Sequence, residues 1–221
     1  MITDSLVKVF RSERLIYRAF QNDEKDKAFC YEQITSDPVN YALSDPGLLA
    51  PRSRQAEDAM TDDLAKSLLA VVLCLPADES STEDQSSTDE KAFKDPQKAE
   101  PIPIGFMCLN WGGFGPKYLH HHRSTELGIT IAAPYQGKGY GSEALKWVLD
   151  WSFRFANMHS VTLGCVEYNT RGQKVYEKAG FVLEGRRRQV HFYDRKWWDV
   201  LLYSVLESEW EQRQVEQDEK Q

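Results

Sequence analysis

Apolar residues recur along this chain with two different periods, and the switches between them mark its elements. RLIYRAF (14–20) is extended and alternating, and predicts a strand. Residues 23–35 and 54–67 follow a helical spacing, with Asp37-Pro38 and Asp45-Pro46-Gly47 breaking the chain between them. Leu68–Leu75 is a short apolar run suited to a buried strand, and Ile104–Trp111 reads as another. A turn rich in glycine (Gly112, Gly113, Gly115) leads into TELGITIAA (125–133), which is β-branched and extended. From Ser142 to Asn157 the stripe Leu145, Val148, Leu149, Ser152, Phe155 and Ala156 steps by three and four, predicting an amphipathic helix. Val161–Val166 is a strand, and Asn169 caps a helix that runs to Ala179 and stops at Gly180. Phe181–Gly185 and Trp197–Leu206 complete the strands, after which a polar tail frays. Strands and helices interleaved in this order predict an α+β fold, a mixed sheet with helices on its faces.

Composition changes this picture in one place. Residues 77–103 carry eight acids against three lysines and a single aromatic, too little apolar surface to offset the entropy of ordering. We expect one domain over residues 1–206, interrupted by a disordered acidic insertion at 77–103 and followed by an acidic tail at 207–221. The insertion contributes −5 and the tail −4 to a net charge of −7, which leaves +2 on the body. The body is thus able to accept an anionic ligand, while the lack of a basic stripe argues against nucleic acid. No apolar run approaches a membrane span, and the N-terminal residues resemble neither a secretory signal nor a transit peptide. Cys30, Cys74, Cys108 and Cys165 form no CxxC pair, as expected of reduced thiols in a cytoplasmic protein.

The chemistry is concentrated in Tyr135-Gln136-Gly137-Lys138-Gly139-Tyr140-Gly141-Ser142, between a strand and the long helix. Alternating glycines let successive N–H groups turn toward one point, and the start of the helix adds its positive end. Such a loop suits a pyrophosphate. It is not a Walker loop, because Lys138 is followed by Gly139, and its GxGxG spacing is not the Rossmann fingerprint. His120-His121-His122 offers imidazoles but no second ligand pair at metal spacing, so no metal is expected.

Gln136, Gly139 and Gly141 fill a Gln-x-x-Gly-x-Gly pattern, and Asn169, Tyr176, Gly180 and Phe181 fill Asn-x(6)-Tyr-x-x-x-Gly-Phe. Together they resemble the GCN5-related N-acetyltransferase (GNAT) family. Glu184-Gly185-x-x-Arg188, Trp198-Asp199, Arg14-Leu15 and Ser36-Asp37-Pro38 are similar to its branch of ribosomal-protein N-terminal acetyltransferases. The resemblance covers about residues 10–210 and implies a mostly antiparallel, splayed sheet with helices on both faces.

The resemblance also implies roles. Ile129, Thr130 and Ile131 would offer backbone groups to the pantetheine arm of acetyl-CoA. Gln136, Gly137, Lys138, Gly139, Tyr140, Gly141 and Ser142 would cradle its pyrophosphate. Asn169 would bond the pantetheine chain, or serve as an ordinary N-cap. Tyr176 would assist departure of the CoA thiolate. Glu126, or an ordered water, would take the proton of the attacking amine. The implied activity is acetyl transfer to a primary amine (a protein N-terminus, a lysine or a small molecule) in a ternary complex, with neither membrane nor nucleic-acid partner. The chain would act as a monomer or homodimer. A CoA-binding sensor without turnover is the alternative.

Overall fold

The computed structural model describes residues 3, 6–77 and 100–219. Seven strands form one sheet in the order β1-β2-β3-β4-β5-β7-β6. They are β1 (Ile16–Ala19), β2 (Leu69–Leu75), β3 (Ile102–Trp111), β4 (Ser124–Ile131), β5 (Ser160–Val166), β6 (Val182–Tyr193) and β7 (Lys196–Leu206). Every neighbouring pair is antiparallel except β4 and β5. The helices are α1 (Glu24–Phe29), α2 (Pro38–Ser44), α3 (Arg54–Leu64), α4 (Tyr140–Arg154), α5 (Thr170–Ala179) and α6 (Glu207–Asp218), with Cys30–Thr35 continuing α1 as a π-helical turn. This is the mixed, mostly antiparallel sheet the sequence predicts.

Each face of the sheet has its own core. On one face Val71, Leu73, Met107, Leu109, Leu127, Val161 and Leu163 pack against Leu145, Val148 and Leu149 of α4 and the flank of α5. On the other, Val72, Cys74 and Ala132 meet Phe29, Cys30 and Ile34 of α1 and its π turn. Adjacent strand residues thus point into opposite layers, as the period of two requires. All four cysteines are buried and unpaired.

Several expectations need correction. Asp37-Pro38, read as a break, opens a helix instead: the Asp37 carboxylate accepts from the Val39 and Asn40 N–H groups, and Pro38 occupies the first turn. The stripe of α4 stops at Arg154, so Phe155 is 42% exposed while Trp147 and Phe153 are buried. Ile102 and Pro103, assigned to the insertion, begin β3; residues 78–99 of that insertion lie outside the described residues. β6 continues to Tyr193 and turns into β7 through Asp194 and Arg195, both at positive φ. The tail does not fray after Leu206. Glu209 accepts the Leu206 N–H at 3.0 Å, and the Trp210 ring packs 5.4 Å from Phe153, which fixes α6 to α4.

One buried group opposes folding. Glu57 on α3 is fully buried, and neither carboxylate oxygen has a hydrogen-bond partner among the described residues. Burial pushes its pKa up from 4.5, against the pull of Thr35, Arg52 and Arg54. A carboxylate raised in the folded state binds more protons there than when unfolded, so stability falls as pH rises from 4.5 through the folded value. Glu57→Met removes that cost. Thermal melts should show the variant more stable than wild type at pH 8, with its advantage shrinking toward pH 4. A variant less stable at pH 8 would show that the charge has partners the burial argument misses.

Candidate active site

The site begins where the sheet fails to stay paired. β4 and β5 run in register only at Ser124↔Ser160, Thr125↔Val161 and Glu126↔Thr162. Beyond them β4 remains paired to β3 through Ile131, and β5 to β7 through Val166, but the two strands part. Backbone groups facing this gap have no ladder partner across it, and buried peptide groups demand one. Ile129, Thr130 and Ile131 line the β4 side. One of these groups is already engaged: the Ile131 carbonyl accepts from Gln136 Nε2 at 2.9 Å.

α2 crosses the mouth of the gap and is bonded to both sides. On the β4 side, Asn40 is buried, donates to the Ile131 carbonyl at 3.4 Å and accepts from Gln136 Nε2 at 2.5 Å. On the β5 side, the carbonyl of Ala42 accepts from the Tyr168 hydroxyl at 2.5 Å, and that of Leu43 from Asn169 Nδ2 at 3.4 Å. These carbonyls belong to the last turn of α2, where a helix leaves them without internal partners. The Tyr168 hydroxyl has one proton, given to Ala42, so it accepts from His191 Nε2 at 2.9 Å. Asn169 Oδ1 meanwhile accepts the Gly172 N–H at 2.9 Å, the N-cap of α5. A β-carbon at Gly172 would come within 2.7 Å of that side chain, which explains the glycine.

The glycine-rich loop closes the other end of the gap. Gly137 and Gly139 adopt φ of +77° and +86°, the left-handed region where a side chain is strained. Gly139 is the N-cap of α4, and no side chain among the described residues caps that helix, so the first-turn N–H groups of Tyr140, Gly141 and Ser142 have no partner among them. Gly141 differs from its neighbours. It lies within α4, and a β-carbon there would meet no protein atom within 4 Å. Packing within the chain gives no reason for a glycine in that turn.

A buckle from the N-terminal strand region holds the loop. Arg14 donates to the Lys138 carbonyl at 3.0 Å, pairs with Glu143 at 2.8 Å and lies over the Tyr140 ring. Glu143 also accepts from the Ser12 hydroxyl at 2.6 Å and the Arg14 N–H at 2.7 Å. Burial raises the Glu143 pKa, but these donors together outweigh it and leave the carboxyl lowered. Lys138 sits 5.5 Å from the Tyr135 ring centre, and the Arg171 guanidinium reaches to 3.8 Å from where a Gly137 β-carbon would stand. Asn40, Glu143 and Arg171 have no role in the sequence reading, and Arg14 enters it only as part of the resemblance. Their partners lie up to 129 residues away, and no local pattern announces them.

Glu126 and Tyr176 lie on opposite faces of the sheet. Glu126 is the last residue of β4 paired with β5, on the layer that also holds Cys108 and Thr162. Burial raises its pKa above 4.5. Tyr176, on α5, packs with Phe181 and Tyr203 on the α4 side, and its hydroxyl makes no hydrogen bond among the described residues. Burial first, and the Cys165 thiol second, push the phenol pKa well above its ordinary value. The three histidines form an exposed 3-10 turn, and no cluster of metal-ligating side chains exists among the described residues.

A split parallel pair beside a glycine-rich, uncapped helix start is the arrangement that the sequence resemblance implies, and comparison with known proteins decides the family. A family model described as "Acetyltransferase (GNAT) domain" matches residues 14–182. The chain belongs to the GNAT acetyltransferase family. It is an N-acetyltransferase by class. YnaD, an uncharacterized N-acetyltransferase of Bacillus subtilis, is 33% identical over 128 residues, which span 55% of this chain and 75% of YnaD. The spermidine N-acetyltransferase of Vibrio cholerae, solved in complex with CoA and spermine, superposes with a TM-score of 0.66 at 21% identity, over 90% of this chain and 98% of that one. RimL, a ribosomal L7/L12 α-N-protein acetyltransferase solved with CoA, gives 0.64 at 14% identity, over 88% and 95%. At those identities the two structures show the GNAT fold. The family match ends at residue 182, so most of β6, all of β7 and α6 lie outside it. No helix among the described residues is long and apolar enough to cross a membrane.

Proposed function

We propose that this chain transfers an acetyl group from acetyl-CoA directly to a primary amine, both held at the gap between β4 and β5. Gly141 carries the reading. A glycine in the first turn of a helix, with open space where its side chain would be and unclaimed N–H groups on either side, fits close approach of a pyrophosphate. The pantetheine arm then adds an artificial strand along Ile129, Thr130 and Ile131, bonding those peptide groups that face the gap and lack a partner. Lys138 and Arg171 supply positive charge at the phosphate end. Gln136 acts through its bonds to Asn40 and Ile131, bracing the loop, and Asn169 acts through the cap of α5.

The chemistry follows from what faces the gap. The amine must be neutral to attack, and Glu126, its pKa raised by burial, is a better base than an ordinary carboxylate. The amine nitrogen bonds to the thioester carbonyl carbon, the C–S bond breaks, and the electron pair leaves on sulfur. Glu126 takes the proton that the nitrogen loses and releases it to solvent, while Tyr176, kept protonated by its raised pKa, hydrogen-bonds the departing thiolate, which takes one proton from solvent to become CoA thiol. An acetyl-cysteine route is disfavoured. Burial raises Cys30 and Cys165 to about 12 and Cys108 to about 11, so these thiols stay protonated at neutral pH.

Gly141→Ala should act in opposite directions on the free and bound protein. It stabilises the free helix by up to about 1 kcal/mol, because alanine loses less backbone freedom on folding. It should also shrink or abolish the rise in melting temperature caused by acetyl-CoA. Differential scanning fluorimetry reads both, and an undiminished acetyl-CoA shift would remove the loop from the site.

Tyr176→Phe tests the leaving-group role once an acceptor amine is in hand. The loss should fall on kcat, by roughly 10²-fold or more, with acetyl-CoA affinity nearly unchanged, because the interaction strengthens only as charge develops on sulfur. Wild-type kcat in a well-folded variant would leave Tyr176 as a packing residue.

A further inference from the structure

β6 carries an irregularity that its pairing with β7 does not require. The two strands are in register through Arg187↔Val200 and again from His191↔Trp198, so Arg188, Gln189 and Val190 stand opposite Asp199 alone. Gln189 takes a φ of +53°, and the Asp199 carboxylate holds the bulge by accepting from the Gln189 N–H at 2.9 Å and from Arg186 at 3.0 Å. Bulges of this kind re-aim side chains and gather beside functional sites. The side chain re-aimed here is His191, 6% exposed and the single buried residue of β6. With Tyr193 and Trp198 of the same hairpin, its imidazole surrounds the Tyr168 ring at centroid distances of 5.8, 5.3 and 5.2 Å.

This packed ring delivers one hydroxyl to α2. That helix has seven residues, too few to persist on its own bonds, so its place is set by what it is tied to. On the β5 side the bond from Tyr168 to the Ala42 carbonyl is 2.5 Å long, and that from Asn169 to Leu43 is 3.4 Å. Tyr168 therefore carries most of the attachment. His191 decides where the hydroxyl proton goes. Donating from Nε2 at 2.9 Å, it occupies a lone pair of the oxygen and leaves the proton for Ala42. A side chain that accepted at this place would draw the proton away from α2.

We infer that His191 is a positioning residue: through Tyr168 it fixes α2 across the mouth of the gap, and the bulged β6–β7 hairpin thereby sets how far that mouth is open to an amine. The inference rests on the gap being the place of transfer, and it extends the site past residue 182, where the family match ends.

The test follows hydrogen exchange of the amides from Tyr41 to Asp45 in the full chain, with melting curves and acetyl-CoA titrations on the same samples. Tyr168→Phe and His191→Phe keep a ring in place and should each speed that exchange roughly two- to tenfold, the range of one net hydrogen bond. His191→Gln sets an amide N–H near the position of Nε2 and should restore the wild-type rate. Glutamine lacks the ring, so a role in packing alone would reverse the order of the two His191 variants. Tyr168→Phe removes a single oxygen atom, which keeps the test decisive if a His191 variant fails to fold. Wild-type exchange in Tyr168→Phe, or faster exchange in His191→Gln than in His191→Phe, overturns the positioning role while acetyl-CoA binding leaves the gap standing. Failure of wild type to bind acetyl-CoA overturns the reading of the gap, and this inference with it.

Discussion

Everything at this site depends on two strands that cannot remain hydrogen-bonded. β4 and β5 are the single parallel pair of the sheet, and their ladder ends after three residues at Glu126 and Thr162. Each strand is held firmly on its outer side, β4 by β3 and β5 by β7, so the split is a property of the whole sheet. A row of peptide groups without partners is costly unless something supplies them. α2 supplies one part, through Asn40 on one side and its terminal carbonyls on the other. The remainder of the edge is the feature on which a ligand reading depends.

Some of the charges around the gap are already committed to partners within the chain and others are not. Arg14 is committed to Glu143 and the Lys138 carbonyl, where it fixes the loop. Lys138 and Arg171 carry no such commitment among the described residues and remain available to an anion. Glu126 and Tyr176 are both shifted upward by burial, with different consequences: the carboxylate becomes a stronger base, and the phenol stays protonated.

Much of this was legible in the sequence where the physics is local. The alternating glycines, the change of period at Ser142 and the Asn169 cap depend on neighbours a few residues away, and the structure reproduces them. Features that depend on distant partners were not. Asp37-Pro38 suits a chain break and a helix start equally, and the choice is made by Asn40 bonding to β4. β6 is an edge strand exposed along most of its length, so it shows no alternation to extend it past Gly185. α6 is polar on nearly every side, with Trp210 as its main anchor, and a weak stripe of that kind is hard to tell from a tail. Asn169 forms the N-cap that the sequence reading kept open beside a ligand role.

Amide hydrogen exchange with and without acetyl-CoA tests the central claim, that the gap between β4 and β5 receives the cofactor. The account predicts slowed exchange in two separated stretches, Ile129–Ile131 on β4 and Tyr140–Ser142 at the start of α4, with the β6–β7 turn at Asp194 and Arg195 unchanged. Protection confined to other parts of the chain, with both of these stretches unaffected at saturating acetyl-CoA, would contradict it.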